Sequence, residues 1–183
     1  MADPAMAFPA ELGPDVADAV IGATAPYRVF LWNADMAAYL RWMHRYEQLS
    51  SEPYFKSVSE WQSPRQKAGR EGVGGLLASI ITPSISRAAE LAAIADAQRR
   101  LVTVTIAMQR FRLAEGSFPS DLGELVPHYV VKVPTDPFTG ESMKVAKTDD
   151  GIVIYSVGSD LNDDGGKALD RKTMKGDVSL RSR

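Results

Sequence analysis

The residues with the clearest chemical pattern lie near the end of the sequence, in the run DLNDDGG at positions 160–166. Asp160, Asn162 and Asp164 alternate along this run, so a loop wrapped around an ion can direct all three side chains inward. The two glycines that follow permit a sharp turn. Ca²⁺ takes about six to eight oxygen ligands, several of them from carboxylates. The spacing therefore predicts a calcium-binding loop.

The run matches only the first half of an EF-hand loop. The last position of such a loop would hold Glu, but here it holds Arg171, and no helical pattern frames the loop. The closing ligand must come from elsewhere, and Leu161 or its neighbours can add backbone carbonyl oxygens. The alternative interpretation is an acidic turn without an ion, because Asp, Asn and Gly form turns for purely local reasons.

Other kinds of site have little support in the sequence. There is no cysteine, and the two histidines, His44 and His128, are far apart, which argues against a zinc site. No Gly-x-Ser-x-Gly motif is present, and the glycines at 72–75 lack the Lys-Ser/Thr of a phosphate-binding loop. The 21 basic and 23 acidic residues nearly balance, so no basic surface for nucleic acid is expected. We expect neither catalytic residues nor nucleic-acid binding, and we predict that the protein is not an enzyme.

A long helix is the strongest element predicted to position this loop. Apolar residues recur at spacings of 3, 4, 3, 4 and 3, which form one stripe on a helix: Ile94, Ala97, Leu101, Val104, Met108 and Phe111. The helix is predicted over residues 86–114, with Pro83 in its first turn and Gly116 just after its end.

The residues after Gly116 predict a short helix and a small sheet. Asp121 and Glu124 are suited to cap a short helix over 122–126. Strand-like runs follow around Met143, over 152–157 and around residues 178–180. We therefore predict an α+β fold over residues 86–183, in which the long helix packs on an antiparallel sheet.

The first half of the chain predicts helices without a site of its own. Residues 1–32 are rich in Ala and Pro and are expected to be loose, whereas 33–85 form a helical segment that packs on the long helix. Within it, residues 62–75 predict a surface loop. No run of about 18 apolar residues is present, so no membrane span is predicted.

Four pieces in order carry a resemblance to a known family: MQRFRLAEGSFPSDLGELV at 108–126, VPTDPFTGE at 133–141, IYSVGSD at 154–160, and DDGG with GDVSL at 163–166 and 176–180. Residues 101–180 thus resemble the C-terminal domain of the major (G-type) pseudopilin of type II secretion. The resemblance implies a calcium site closed by Asp177, and protein partners in a secretion or pilus-like assembly. Family members begin with a cleaved leader and an apolar anchoring helix, which residues 1–85 do not contain. Had an anchor been removed, the resemblance would place the protein in the periplasm or cell envelope.

Two functions of different classes follow. The first is a non-enzymatic structural or interaction module of pseudopilin type, held in shape by Ca²⁺. The second is a ligand-binding protein or enzyme with a pocket between the helical segment and the sheet. A large cavity and converging polar groups around Trp42, His44 and Trp61 would favour the second.

Overall fold

The computed structural model describes residue 22 and residues 24–62, 76–148, 151–170 and 172–182. It confirms the α+β class, since the described helices are followed by a three-stranded antiparallel sheet. These residues divide into two compact units, one of 22 and 24–46 with 76–82 and one of 47–62 with the described residues from 83 onward. The predicted helical segment of residues 33–85 is thereby shared between the two units.

The first unit is helical over its described residues. Residues 24–30, which belong to the segment predicted to be loose, form a helical stretch, and α1 (Trp32–Ser50) follows. The Tyr27 ring packs edge-on against Trp32, and its hydroxyl donates a hydrogen bond to the carboxylate of Asp35, which is fully buried. This bond, together with burial and the charge of Asp35, raises the pKa of Tyr27 to about 12.

The long helix begins earlier than its sequence pattern predicts. After α2 (Tyr54–Gln62), α3 spans Leu76–Glu115 and contains Pro83. The expectation that Pro83 lies in the first turn is therefore wrong, because the apolar stretch before it is also helical. The boundary between the two units falls directly before Pro83. The end of α3 is as predicted, with Gly116 at a φ of +79° and its N–H bonded to the Arg112 carbonyl.

The apolar stripe of α3 forms the centre of the second unit's core. Its first five residues, from Ile94 to Met108, are buried, and Phe111 is half-buried with its ring centroid 5.5 Å from that of Tyr129. The stripe packs in one cluster with Leu125, Phe138, Ile154 and other core residues, so the predicted facing of helix and sheet is confirmed. Each fully buried large side chain contributes about 1.5–3 kcal/mol.

The short helix is a 3₁₀ turn, Leu122–Leu125, with the predicted caps. Asp121 accepts a hydrogen bond from the backbone of Gly123, and Glu124 accepts one from the backbone of Asp121. This reciprocal capping satisfies amides that a short helix leaves free.

The sheet has the order β1-β2-β3, with β1 at Lys144–Thr148, β2 at Gly151–Ser156 and β3 at Val178–Ser182. Both pairings are antiparallel, and Ile154 lies opposite Val145 on one side and Leu180 on the other. Ile152 and Ile154 point to the α3 core, whereas Val153 and Tyr155 point to the other face and are buried there too. The second face of β2 is thus also covered, and the segment that joins β2 to β3 contributes to this cover.

Candidate functional site

The acidic loop predicted to bind calcium joins β2 to β3. A Cβ atom at Gly166 would lie 2.8 Å from Val153 Cγ1 and 3.5 Å from Val153 Cβ, so the loop backbone rests directly on the second face of the sheet. Gly166 also has a φ of +86°, which L-residues with a side chain rarely adopt. A glycine is therefore required at this point for the loop to pack against β2.

Asp160 fastens the start of the loop to its end. Its Oδ1 accepts a hydrogen bond from the backbone N–H of Asn162 at 3.2 Å, and its Oδ2 accepts one from Gly176 at 3.1 Å. The first bond forms a local turn of the kind expected for an acidic loop without an ion. The second bond joins two residues that lie 16 positions apart in the chain. Each carboxylate oxygen keeps lone pairs that could bind a cation.

The next predicted ligands lie at the surface. Leu161 has a φ of +59°, a left-handed conformation that is uncommon for a non-glycine residue and turns the chain sharply at this point. The side chains of Asn162 and Asp164 are exposed. Their oxygens are therefore accessible, but the fold does not hold them in the interior.

Asp177, at the end of the loop, is fully buried, and its two oxygens differ. The backbone N–H of Gly166 donates to Oδ2 at 2.7 Å. Oδ1 has no hydrogen-bond partner among the described residues. An unpaired buried carboxylate oxygen is costly, and native structures usually satisfy it with protein, water or an ion.

The pKa of Asp177 is raised, and burial is the main cause. The charges of Asp163 and Asp164 add to the increase, while the backbone N–H groups of Gly166 and Asp164 counteract it in part. Negative charge therefore concentrates around a carboxylate that is already poorly solvated. A cation at this place would relieve both effects.

Asp163, which is not a predicted ligand, has its own partners in the sheet. Lys144 Nζ lies 2.7 Å from Oδ2, while the Tyr155 hydroxyl and the Gly165 N–H donate to Oδ1 at 3.0 and 3.1 Å. The bond with Lys144 is the main reason that the pKa of Asp163 is lowered. Lys144 and Tyr155 lie directly opposite each other on β1 and β2, so the strand register is the signal that could have indicated this contact.

The structure brings the predicted calcium ligands into one loop but not into one ready-made cluster. Within the residues described, no three His, Cys, Asp or Glu side chains form a group that could hold a metal ion. The predicted set, however, also includes the Asn162 side chain and the carbonyl of Leu161, and Ca²⁺ accepts both kinds of oxygen. The unpaired Oδ1 of Asp177 is the feature that fits an ion best.

A cavity of about 470 Å³ lies elsewhere in the second unit. It is bounded by residues 49–61, by α3 from Ala89 to Arg100 and by the turn at 135–137. Trp61 lines it, but Trp42 and His44, the other two residues named for the ligand-binding alternative, belong to the first unit. No strand of the sheet lines it, so it differs from the predicted pocket between helical segment and sheet.

Comparison of the chain with protein-family models, with curated proteins and with solved structures finds no match. The resemblance to the major pseudopilin therefore depends on the four sequence pieces alone. Of the helices that the structure describes, none combines the length and the apolar character needed to cross a membrane.

Proposed function

We propose that the second unit is a pseudopilin-like structural and interaction module, and that its loop from Asp160 to Asp177 binds Ca²⁺ as a structural ion. The proposed ligands are the side chains of Asp160, Asn162, Asp164 and Asp177 and the backbone carbonyl of Leu161. Other proteins, such as components of a secretion or pilus-like assembly, are the proposed partners. The ion has no catalytic role in this proposal.

The unpaired Oδ1 of Asp177 is the observation that carries the calcium proposal. A purely local acidic turn would leave its carboxylates in solvent, whereas this carboxylate is buried and only one of its oxygens is bonded. Removing a charged group from water without full compensation destabilises the folded state. Ca²⁺ supplies the missing partner and offsets the repulsion from Asp163 and Asp164.

The parts of the chain that carry the resemblance support the pseudopilin-like module. They coincide with the end of α3 and the 3₁₀ turn, the turn around Asp136, β2, the loop and β3. The helix end, the two turns and the strands contribute side chains to the same core, and Leu169 and Met174 of the loop pack against that core. The motifs are therefore adjacent in the fold as well as ordered in the sequence.

Thermal melting of the full chain with calcium, with magnesium and with excess chelator tests the calcium site. Calcium at about a hundred times its dissociation constant should stabilise the parent by about 2.7 kcal/mol, because the ion binds only the folded form. Magnesium should stabilise it much less, since Mg²⁺ requires tight octahedral geometry and dehydrates reluctantly.

Asp164→Ala should abolish the calcium response, and Glu115→Ala is the matched control because it removes an exposed carboxylate at the end of α3. The control should respond to calcium like the parent. A parent whose melting midpoint is the same in calcium and in chelator would show that the loop is an acidic turn without an ion.

A further inference from the structure

The cavity of the second unit exists because two kinds of wall face each other across it. On one side α2 contributes the aromatic residues Tyr54, Phe55 and Trp61. On the other side α3 contributes alanines at positions 89, 92 and 93, whose small side chains leave the space between the helices open. Its volume, about 470 Å³, lies in the range of small-molecule sites.

The walls of this cavity are held in place by contacts that its lining residues make with each other and with the surrounding core. The ring of Tyr54 packs edge-on against the buried Phe138, with centroids 5.4 Å apart. The indole N–H of Trp61, which is almost fully buried, donates to Ser57 Oγ at 3.0 Å. At the far end Arg100 donates to the Thr135 carbonyl at 2.6 Å and connects α3 to the turn. The space is thus preformed and needs little reorganisation to receive a ligand.

Of the two carboxylates that line the cavity, only that of Glu52 has no ion pair within the part of the chain that the structure describes. Asp96 is already paired, with Arg99 through Oδ1 and with Arg100 through Oδ2. Glu52 also lines the cavity, and its side chain is exposed at the rim. Burial and the charge of Glu90 raise the pKa of Tyr54 to about 12, so its phenol stays neutral and adds no negative charge. Arg99 and Arg100 share the single negative charge of Asp96, so that end of the cavity is not acidic. Among the described residues, the negative charge without an ion pair is that of Glu52 at the rim.

We propose that this cavity binds a small organic cation with an apolar or aromatic body. The body lies between the aromatic wall of α2 and the alanines of α3, and the cationic group lies at the rim beside the carboxylate of Glu52. Aromatic faces add to the attraction for a cation, and one correctly placed charge orients an otherwise apolar ligand. This site is separate from the calcium loop and does not depend on it.

The test uses two probes that share a phenylpropyl body but differ in charge, 3-phenylpropylamine and 3-phenylpropionate. The readout is the indole N–H resonance of Trp61 in the full chain, assigned among the three tryptophans by a Trp61→Phe variant. All titrations are run with excess chelator, so that the result is independent of calcium. The amine should shift this resonance with a dissociation constant in the millimolar range, as expected for about ten non-hydrogen atoms.

Two variants locate the binding. Ala92→Leu places a larger side chain in the cavity from an exposed position of α3 and should abolish the shift, while its circular dichroism and melting midpoint verify that it folds. Glu52→Gln should weaken binding by about fivefold, the effect of an exposed charge pair, whereas Glu115→Gln should leave it unchanged. The proposal is overturned if both probes bind equally or if about 10 mM amine causes no shift. It is also overturned if Ala92→Leu or Glu52→Gln binds the amine as the parent does.

Discussion

Two buried aspartates of the second unit, Asp136 and Asp177, differ in how completely the protein satisfies them. Asp136 Oδ1 accepts hydrogen bonds from the Phe138 N–H and the Ser156 hydroxyl, both at 2.8 Å, and Oδ2 accepts one from the Val157 N–H at 3.1 Å. Asp177 Oδ2 accepts a hydrogen bond from the Gly166 N–H, but Oδ1 has no partner among the residues that the structure describes. Both side chains are almost completely inaccessible to solvent.

The difference indicates two uses of a buried carboxylate. Asp136 connects its own turn to the end of β2, and all of its partners are within the chain. Such a residue contributes to stability without any added component. Asp177 has the burial of a structural residue without its full set of partners, which is the condition in which an ion or ordered water completes the coordination. The following predictions test whether the two residues differ in this way.

The largest effect is expected for Asp136→Ala. The change leaves the buried N–H groups of Phe138 and Val157 without their acceptor, at about 1–3 kcal/mol each, so the free energy of unfolding should fall by about 3–5 kcal/mol. Urea unfolding measures this loss, which should be equal in calcium and in chelator. Asp121→Ala is a control at an exposed cap and should cost about 1 kcal/mol. A loss for Asp136→Ala that depends on calcium would contradict the comparison.

Asp177→Asn should respond in the opposite way. It removes a buried negative charge whose raised pKa shows that ionisation is unfavourable in the fold, so in chelator at neutral pH its stability should stay within about 1 kcal/mol of the parent or exceed it. The calcium stabilisation of the parent, about 2.7 kcal/mol at a hundred times the dissociation constant, should disappear. If Asp177→Asn in chelator loses as much stability as Asp136→Ala, the two aspartates are equivalent and the comparison fails.

Gly166→Ala should have a moderate effect, because its methyl group would collide with Val153 and its amide would move away from Asp177. We expect a loss of about 2–3 kcal/mol and a weaker calcium response. Gly165→Ala is the matched control, since Gly165 also has positive φ but its added Cβ would meet nothing within 4 Å. The control should lose only about 1 kcal/mol. Equal losses in the two variants would show that contact with the sheet is unimportant for the loop.

Lys144→Met should have the smallest effect of the four. The pair of Lys144 with Asp163 is short, but both side chains are substantially exposed, and water screens the attraction. The melting midpoint should decrease slightly, and the difference from the parent should shrink further in high salt. A large loss that persists in high salt would place Asp163, and not Asp177, at the centre of the loop's stability.

The sequence predicted those features of the fold that depend on local periodicity and local hydrogen bonds. The stripe from Ile94 to Phe111 follows the helical repeat, so its burial could be predicted without knowing its partners. The caps of the 3₁₀ turn, Asp121 and Glu124, act on amides within three residues. Gly116 ends α3 because its positive φ is a conformation that glycine adopts without steric cost. The start of α3 was not predictable in this way, because proline favours the first turn of a helix, whereas here the helix begins at Leu76 and continues through Pro83.

Within the candidate site, the sequence by itself determined that acidic residues alternate in a glycine-containing loop after a buried strand, and these are properties of neighbouring residues. Only the tertiary structure decided that Asp177 is buried with one unpaired oxygen, that Asp163 pairs with Lys144, and that alanines of α3 leave a cavity opposite Trp61. Each of these features joins residues far apart in the chain. Burial, pairing and empty space depend on which distant atoms the fold brings together, and a local pattern contains no information about those distances.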